Sequence, residues 1–305
     1  MIAFLFPGQG SQAPGMGADL FETSPEARAV FDAADAVLGV SLTSLMFGDD
    51  ADALKSTEIT QPALFTHSLA ADAALRARGL RPDVAAGHSL GEWSALAAAG
   101  AVSFADGLRA VRRRGELMAQ AREGAMSAVL GLDASALEAA CQAATDAGEG
   151  VVVPANYNDP GQIVISGDAA AVARAGALCS EAGAKRVVPL PVSGAFHSPL
   201  MAEARDGFAE TLDALTIQTP SCPVVLNVTA AATTDPDEIR TRLLEQLTSP
   251  VRWAQSVQAM AALGATRYVE VGTGAVLSGL VKRTLGRDAV TAQAGTSAQI
   301  AALDA

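Results

Sequence analysis

Cysteine, histidine and aromatic side chains are scarce in this 305-residue chain, and each scarcity removes a class of function. The three cysteines, Cys141, Cys179 and Cys222, have neither CxxC nor metal-ligand spacing. No disulfide framework or metal site is therefore expected, and a reducing cytoplasm is the expected location. No run of 18 apolar residues occurs, so no membrane span is expected. The first seven residues lack a basic segment, and their apolar stretch is too short for a secretory signal. Basic residues are few, 21 against 33 acidic ones, and the net charge of −12 argues against a nucleic-acid partner. What the chain does have is apolar material: half its residues are hydrophobic. That supports a sizeable core, in one large domain or a large one with a small companion.

The chain is organised around Gly87-His88-Ser89-Leu90-Gly91. A short apolar strand at 84–86 runs into a glycine, a serine follows, and the alanine-rich segment after Gly91 reads as a helix. This is G-x-S-x-G in its meaningful context of strand, sharp turn and helix. The turn presents the serine hydroxyl. The glycines two positions either side let neighbouring backbone approach, and the helix N-terminus brings free N–H groups. Taken alone, the pentapeptide is equally consistent with a plain glycine-rich turn.

Along the chain, residues 2–6 are a continuous apolar run and read as a buried parallel strand. It ends in the loop Gly8-Gln9-Gly10-Ser11-Gln12, which lacks the Lys-Ser/Thr pair of a phosphate-binding loop. Helices are expected at 24–38, capped by Ser24 with Pro25 at its first position, at 61–78 and at 103–122. The last carries Arg109, Arg112, Arg113 and Arg114, which cannot all share one helix face. From residue 125 the pattern becomes β-α-β-β-α-β: strands at 125–131, 151–156, 162–166 and 186–190, helices at 135–147 and 169–182, and a turn at 158–161. That is the ferredoxin-like order. A loop at 192–201 leads into a helix capped by Ser198, then come a strand at 224–228, helices at 235–247 and 253–263, a strand at 267–271 and a helix at 276–285. The expected fold is α/β: a large α/β-hydrolase-like domain with a parallel sheet, residues 1–124 and 192–305, and an inserted ferredoxin-like domain, residues 125–191.

A nucleophilic serine needs a base, and the chain holds three histidines. His67 has no motif around it and reads as a packing residue. His88 adjoins Ser89 at a tight turn and points elsewhere. His197, in a loop after Ser89 in chain order, is the candidate base. No aspartate before His197 stands out as its orienting partner.

Five motifs occur in order: Gly8-Gln9-Gly10-Ser11-Gln12, Gly87-His88-Ser89-Leu90-Gly91-Glu92, Arg112-Arg113-Arg114-Gly115, Asn158-Asp159-Pro160-Gly161-Gln162 and Gly194-Ala195-Phe196-His197. With Pro250-Val251-Arg252-Trp253 and Glu270-Val271-Gly272-Thr273-Gly274, they cover nearly the whole chain. The chain thereby resembles the malonyl-CoA:acyl carrier protein transacylase family of bacterial fatty-acid synthesis, in its stand-alone form. The resemblance implies that Ser89 carries the malonyl group as an ester and that His197 is the general base. It implies an oxyanion hole from the backbone N–H groups of Gln9 and Leu90. Arg114 would hold the malonyl carboxylate, with Gln9 also against the substrate. A backbone or glutamine carbonyl would orient the histidine, and Gln246 stands at the matching position. The implied reaction is ping-pong transfer from malonyl-CoA to the phosphopantetheine thiol of holo-acyl carrier protein, with no metal and no organic cofactor. Gly194-Ala195-Phe196-His197 looks like the malonyl-selective form, and Trp93 stands where a tyrosine is commoner.

Two other readings share these residues. A serine esterase or thioesterase would use the same serine and histidine, and differs in its control of water. A catalytically idle subunit that binds carrier protein is the second, and the intact Ser89 and His197 speak against it. Carrier proteins are usually acidic, as this chain is, so a local basic patch is expected near the site mouth, with Lys185, Arg186, Lys282, Arg283 and Arg287 as candidates. A monomer is expected.

Overall fold

The computed structural model describes residues 1–121, 123–192 and 194–304. Arg122, at the end of the expected 103–122 helix, and Ser193, in the expected 192–201 loop, lie outside the described residues, as does Ala305.

One sheet is built from β1 (Ile2–Phe6), β2 (Val84–Gly87), β7 (Val224–Val225), β8 (Ala232–Thr233), β9 (Arg267–Val271) and β10 (Val290–Ala294), in the order β10-β9-β1-β2-β7-β8. All its pairings are parallel except the short β7–β8 ladder. Alternate residues of β1 enter different layers, as strand geometry requires. Phe4 and Phe6 join one apolar cluster, and Ala3 and Leu5 join another on the opposite face. Helices α1 (Ala18–Thr23), α2 (Pro25–Leu38), α3 (Leu42–Phe47), α4 (Thr57–Ala77), α5 (Gly91–Ala98) and α6 (Phe104–Gln120) follow β1 and β2. Residues of α2 to α6 pack with Phe4 and Phe6.

The second sheet holds β3 (Ala125–Leu130), β4 (Val152–Asp159), β5 (Gln162–Gly167) and β6 (Arg186–Pro189), in the order β4-β5-β3-β6 and wholly antiparallel. Helices α7 (Ala134–Asp146) and α8 (Ala169–Glu181) cover it around a separate apolar cluster. This is the ferredoxin-like order. A parallel bridge between Asn156 and Val251 ties this sheet to the segment that leads into the helix at Trp253–Ala262. Helices α9 (Ala202–Asp213), α10 (Pro236–Glu245), α11 (Trp253–Ala262), α12 (Val276–Leu285) and α13 (Ser297–Ala301) complete the chain. Trp253 and Val257 of α11 and Leu277 and Val281 of α12 form the second face's cluster. Among the described residues, no helix is long and apolar enough to cross a membrane.

Several expected bounds shift. Helix α4 starts at Thr57, not 61, and runs through Pro62. Pro62 is the sixth residue of the helix, past its first turn, so the Glu58 carbonyl is left without its usual N–H donor. The strand expected at 224–228 stops at Val225. Beyond it the Asn227 N–H bonds to the Glu92 carboxylate and its carbonyl accepts from Arg252, so no ladder continues. The turn expected at 158–161 is tighter: Asn158 and Asp159 belong to β4. The helix expected to reach 247 ends at Glu245, with Gln246 as its cap.

Candidate active site

Two close approaches shape the nucleophile turn between β2 and α5. A Cβ on Gly87 would lie 1.8 Å from the backbone of Gly91, and one on Gly91 would lie 2.0 Å from the Phe6 carbonyl oxygen. Neither position admits a larger residue. Ser89 is held at φ 52°, a left-handed conformation that costs a non-glycine residue about 1–3 kcal/mol and persists only where the surroundings over-determine it. Here Asn227 does so. Its Oδ1 accepts the Ser89 N–H at 2.7 Å and its Nδ2 donates to the Gly87 carbonyl at 2.7 Å. His197 is likewise at positive φ, 57°.

The Ser89 Oγ lies 2.8 Å from His197 Nε2. On the other side of the ring, Nδ1 faces the carbonyl oxygens of Gln246 at 2.8 Å and Ser249 at 3.2 Å. Carbonyl oxygens only accept, so Nδ1 carries the proton and Nε2 offers its lone pair to the Ser89 hydroxyl. The Gln246 carbonyl is free for this because it lies at the C-terminus of α10, where intrahelical partners run out. Burial, aided by the charge of Arg114, lowers the His197 pKa to about 3, against the opposing bonds to Gln246 and Ser249. The ring is therefore neutral across the physiological range.

Arg114 is 1% exposed. Its Nη1 donates to Gln61 Oε1 at 2.9 Å, and its Nη2 to Gln246 Oε1 at 2.9 Å and to Ser89 Oγ at 3.2 Å. Its Nε is buried without a partner among the described residues. Burial lowers its pKa to about 10, offset by the field of Glu92, so it stays a cation. The other arginines of α6 face outward: Arg109 pairs with Asp106, and Arg112 and Arg113 with Glu116.

Gln9 reaches the site because the 8–12 loop lies against the nucleophile turn, where a Cβ on Gly8 would sit 2.4 Å from the His88 carbonyl oxygen. Its side chain donates to Thr57 Oγ1 at 3.3 Å. Among the described residues no acceptor pairs with the backbone N–H of Gln9 or Leu90. Both residues line a cavity of about 120 Å³ with Ser89, His197 and Arg114. Its apolar lining includes Met118, Phe196 and, from the second sheet, Met126.

The other two histidines stand apart from this chemistry. His88 Nε2 meets Asn158 Oδ1 at 2.9 Å, and the ring tilts against Trp253. His67 is buried and its Nε2 meets the Gly295 carbonyl at 3.0 Å. Trp93 packs edge-on to Phe208, away from the cavity. The structure thus brings Ser89, His197, Gln246, Arg114, Gln9 and Leu90 to one place. It adds Asn227, Gln61 and Ser249, which carry no motif and gave no signal in the sequence.

Such an arrangement can attack a carbonyl, take up the proton and steady an anion beside the nucleophile. Residues 3–303 match the family described as an acyl transferase domain. The malonyl CoA-acyl carrier protein transacylase of Bacillus subtilis (strain 168) is 50% identical over 285 residues, which covers 92% of this chain and 90% of that protein. Its counterpart in Escherichia coli (strain K12) is 46% identical, with 99% of each chain covered. The crystal structure of an acyl carrier protein S-malonyltransferase from Vibrio cholerae superposes with a TM-score of 0.96 at 45% identity, over 99% of each chain. A malonyl-transacylase, PlMCAT, solved in complex with the type II PKS acyl-carrier protein AntF, gives a TM-score of 0.94 at 39% identity, over 98% of this chain and 97% of that one.

Proposed function

The chain belongs to the acyl transferase domain family, and from that premise we propose that Ser89 is its acyl-carrying nucleophile, His197 the general base and Arg114 the ligand of the acyl group's free carboxylate. The enzyme moves the malonyl group from malonyl-CoA to the phosphopantetheine thiol of acyl carrier protein. One observation carries the residue roles: a single hydroxyl, Ser89 Oγ, sits 2.8 Å from a neutral imidazole nitrogen and 3.2 Å from a buried guanidinium.

In the first half-reaction Ser89 Oγ attacks the thioester carbonyl carbon while its proton passes to His197 Nε2. The tetrahedral oxyanion is met by the N–H groups of Gln9 and Leu90, each of which contributes about 2.7–4 kcal/mol if it behaves as measured oxyanion donors do. The carbon–sulfur bond breaks, and the departing thiolate takes the proton from Nε2. In the second half-reaction the carrier's thiol gives its proton to Nε2, attacks the malonyl-serine ester, and Ser89 recovers the proton. The Gln246 and Ser249 carbonyls hold the ring in the required tautomer throughout. Arg114 forms a two-pronged pair with the malonyl carboxylate, for which planar guanidinium geometry is suited. We place the domain boundaries at 124/125 and 191/192, a reading supported by an antiparallel sheet that starts at Ala125 and ends at Pro189, and that sheet supplies Met126 and Asn156 to the cavity wall.

Intact-protein mass spectrometry after brief mixing with malonyl-CoA tests the assignment. A malonyl-sized adduct should map to Ser89 and vanish in Ser89→Ala. An adduct elsewhere, or normal transfer by the alanine variant, overturns it.

A further inference from the structure

Glu92 lies in the first turn of α5, fully buried, and no step above uses it. Its Oε2 accepts two hydrogen bonds, from the Asn227 N–H at 3.1 Å and from Gln246 Nε2 at 2.9 Å. Both donors belong to residues that touch the reacting groups. Asn227 brackets the nucleophile turn through Ser89 N–H and the Gly87 carbonyl. Gln246 does three things at once. Its Nε2 also donates to the Ser89 carbonyl at 3.0 Å, its Oε1 accepts from Arg114, and its backbone carbonyl accepts from His197.

We propose that Glu92 is a positioning residue for this transfer: its carboxyl holds Asn227 and Gln246 so that Ser89, His197 and Arg114 keep one mutual geometry. The inference rests on the roles assigned to those three residues above.

The argument turns on the amide of Gln246. Rotated by half a turn, its NH₂ would face the guanidinium and its oxygen would face two other oxygens, those of the Ser89 carbonyl and of Glu92. Donors and acceptors match only in the orientation seen, and they match because a cation stands at one end and an acceptor at the other. Without the acceptor, only the Ser89 carbonyl remains to hold the amide, and Arg114 loses a fixed partner. Asn227 is tied in the same way, since its backbone is held by the carboxyl while its side chain clamps the strained serine.

Both bonds fall on one oxygen, and Oε1 is buried with no partner among the described residues. A proton on Oε1 would break neither bond. Burial pushes the Glu92 carboxyl up to about 7, against the bonds to Gln246 and Asn227 and the field of Arg114. The property that matters is thus an acceptor oxygen at a fixed distance rather than a full negative charge.

Two variants separate these properties. Glu92→Gln keeps the length and an acceptor oxygen and loses the charge. Glu92→Asp keeps the charge and withdraws the acceptor by one methylene. Each is assayed with malonyl-CoA and acetyl-CoA, with rates normalised to the fraction of Ser89 that acylates and with melting temperature recorded. Glu92→Gln should retain kcat within about threefold and keep the malonyl preference. Glu92→Asp should lose kcat by about 10²-fold, the scale of an ångström-sized misplacement in a catalytic site, and its malonyl-over-acetyl preference should fall. A residue that only stabilised the fold would lower the active fraction and the melting temperature, leave kcat per titrated site and the preference unchanged, and so overturn the proposal. The reverse order, with Asp active and Gln impaired, would overturn it in favour of a charge effect. The wild-type adduct reports separately on the underlying reading: no malonyl on Ser89 in the unmutated enzyme sinks that reading, whereas a normal adduct with two wild-type-like variants sinks only the role of Glu92.

Discussion

Replacement of Arg114 should act in opposite directions on two acyl donors. Malonate differs from acetate by one free carboxylate. In the resting site the guanidinium donates to Gln61, Gln246 and Ser89, all uncharged, and Glu92 reaches it only by its field. The substrate carboxylate would therefore be its first direct anionic partner among the described residues. The pair would form at a residue 1% exposed, so its loss belongs with buried rather than surface pairs. Breaking a buried pair costs about 3–5 kcal/mol, or roughly 10²–10⁴-fold at 1.4 kcal/mol per decade. Arg114→Ala should lower kcat/KM for malonyl-CoA by that factor. For acetyl-CoA it should hold or rise, for two reasons. The desolvated cation that faces a methyl group is gone, and so is one of the charges that depress the basicity of His197. Arg113→Ala is the control, since that side chain is half exposed and 3.8 Å from Glu116. The variant leaves the Gln61 and Gln246 amide oxygens without their cation, so rates are taken per acylated Ser89. Equal losses for both donors would make Arg114 structural, and a selectivity switch in Arg113→Ala would refute the helix register on which the argument stands.

Other outcomes follow from the same geometry. His197→Ala should slow acylation by about 10²–10⁴-fold, the contribution of a positioned general base, and a variant within threefold of wild type in a rapid-quench assay would assign the base elsewhere. Because His197 titrates near 3, kcat/KM for acylation should stay level as pH falls from 6.5 to about 5, whereas a tenfold fall per unit would show an ordinary histidine. His67, buried against the Gly295 carbonyl, has its pKa lowered from 6.5 to about 4, chiefly by desolvation. The unfolded chain then binds this proton first, so the stability involved is present above pH 6.5 and is lost as pH falls towards 4, by about 3 kcal/mol in all. The drop in unfolding free energy from pH 7 to pH 4 should be smaller in His67→Gln, and identical drops would remove His67 as the cause. Lys282→Glu should raise KM for carrier protein and spare KM for malonyl-CoA, and equal effects on both would count against a basic docking patch. Arg283 is unsuitable for that reversal, because it pairs at 2.5 Å with the buried carboxylate of Asp159.

The proposed nucleophile was legible because its chemistry is local. The strand, the two close-approach glycines, the serine and the helix are contiguous, and steric need alone demands glycine at 87 and 91. Arg114 was half legible: four arginines on one helix imply that one turns inward, though only the motif said which. Gln246 stood out as the histidine's partner, yet its work divides, with the backbone carbonyl on His197 and the side chain on Arg114, Ser89 and Glu92. Asn227, Gln61 and Ser249 were not legible at all. Each meets the site through a contact 50 or more residues away in sequence, and none sits in a pattern that spacing can expose. In the fold, β10 escaped notice because it is a partly exposed edge strand without an apolar run, and β8 because it is two residues long. Helices α1 and α3 have six residues each, too few to display a helical period.

The weakness of His197 as a base bears on why such a site transfers rather than hydrolyses. Its Nδ1 proton is held by two neutral carbonyls, and a cation stands nearby, so nothing in direct contact stabilises an imidazolium as a carboxylate would. A base of this kind needs a nucleophile that gives up its proton readily. A thiol ionises near 8.5, whereas bulk water ionises near 15.7, a difference of about seven decades in the availability of the anion. The proposed malonyl-serine ester would therefore be exposed to two attackers of very different ease, and lowering the base's strength would penalise water more than it penalises the thiol. Pairing of the malonyl carboxylate with Arg114 would also offset the cation's field and restore some basicity to His197 once the correct acyl group is in place. The level pH profile predicted above is the signature of this arrangement: a base that stays neutral well below pH 6.5 is one that its surroundings have made reluctant to take a proton.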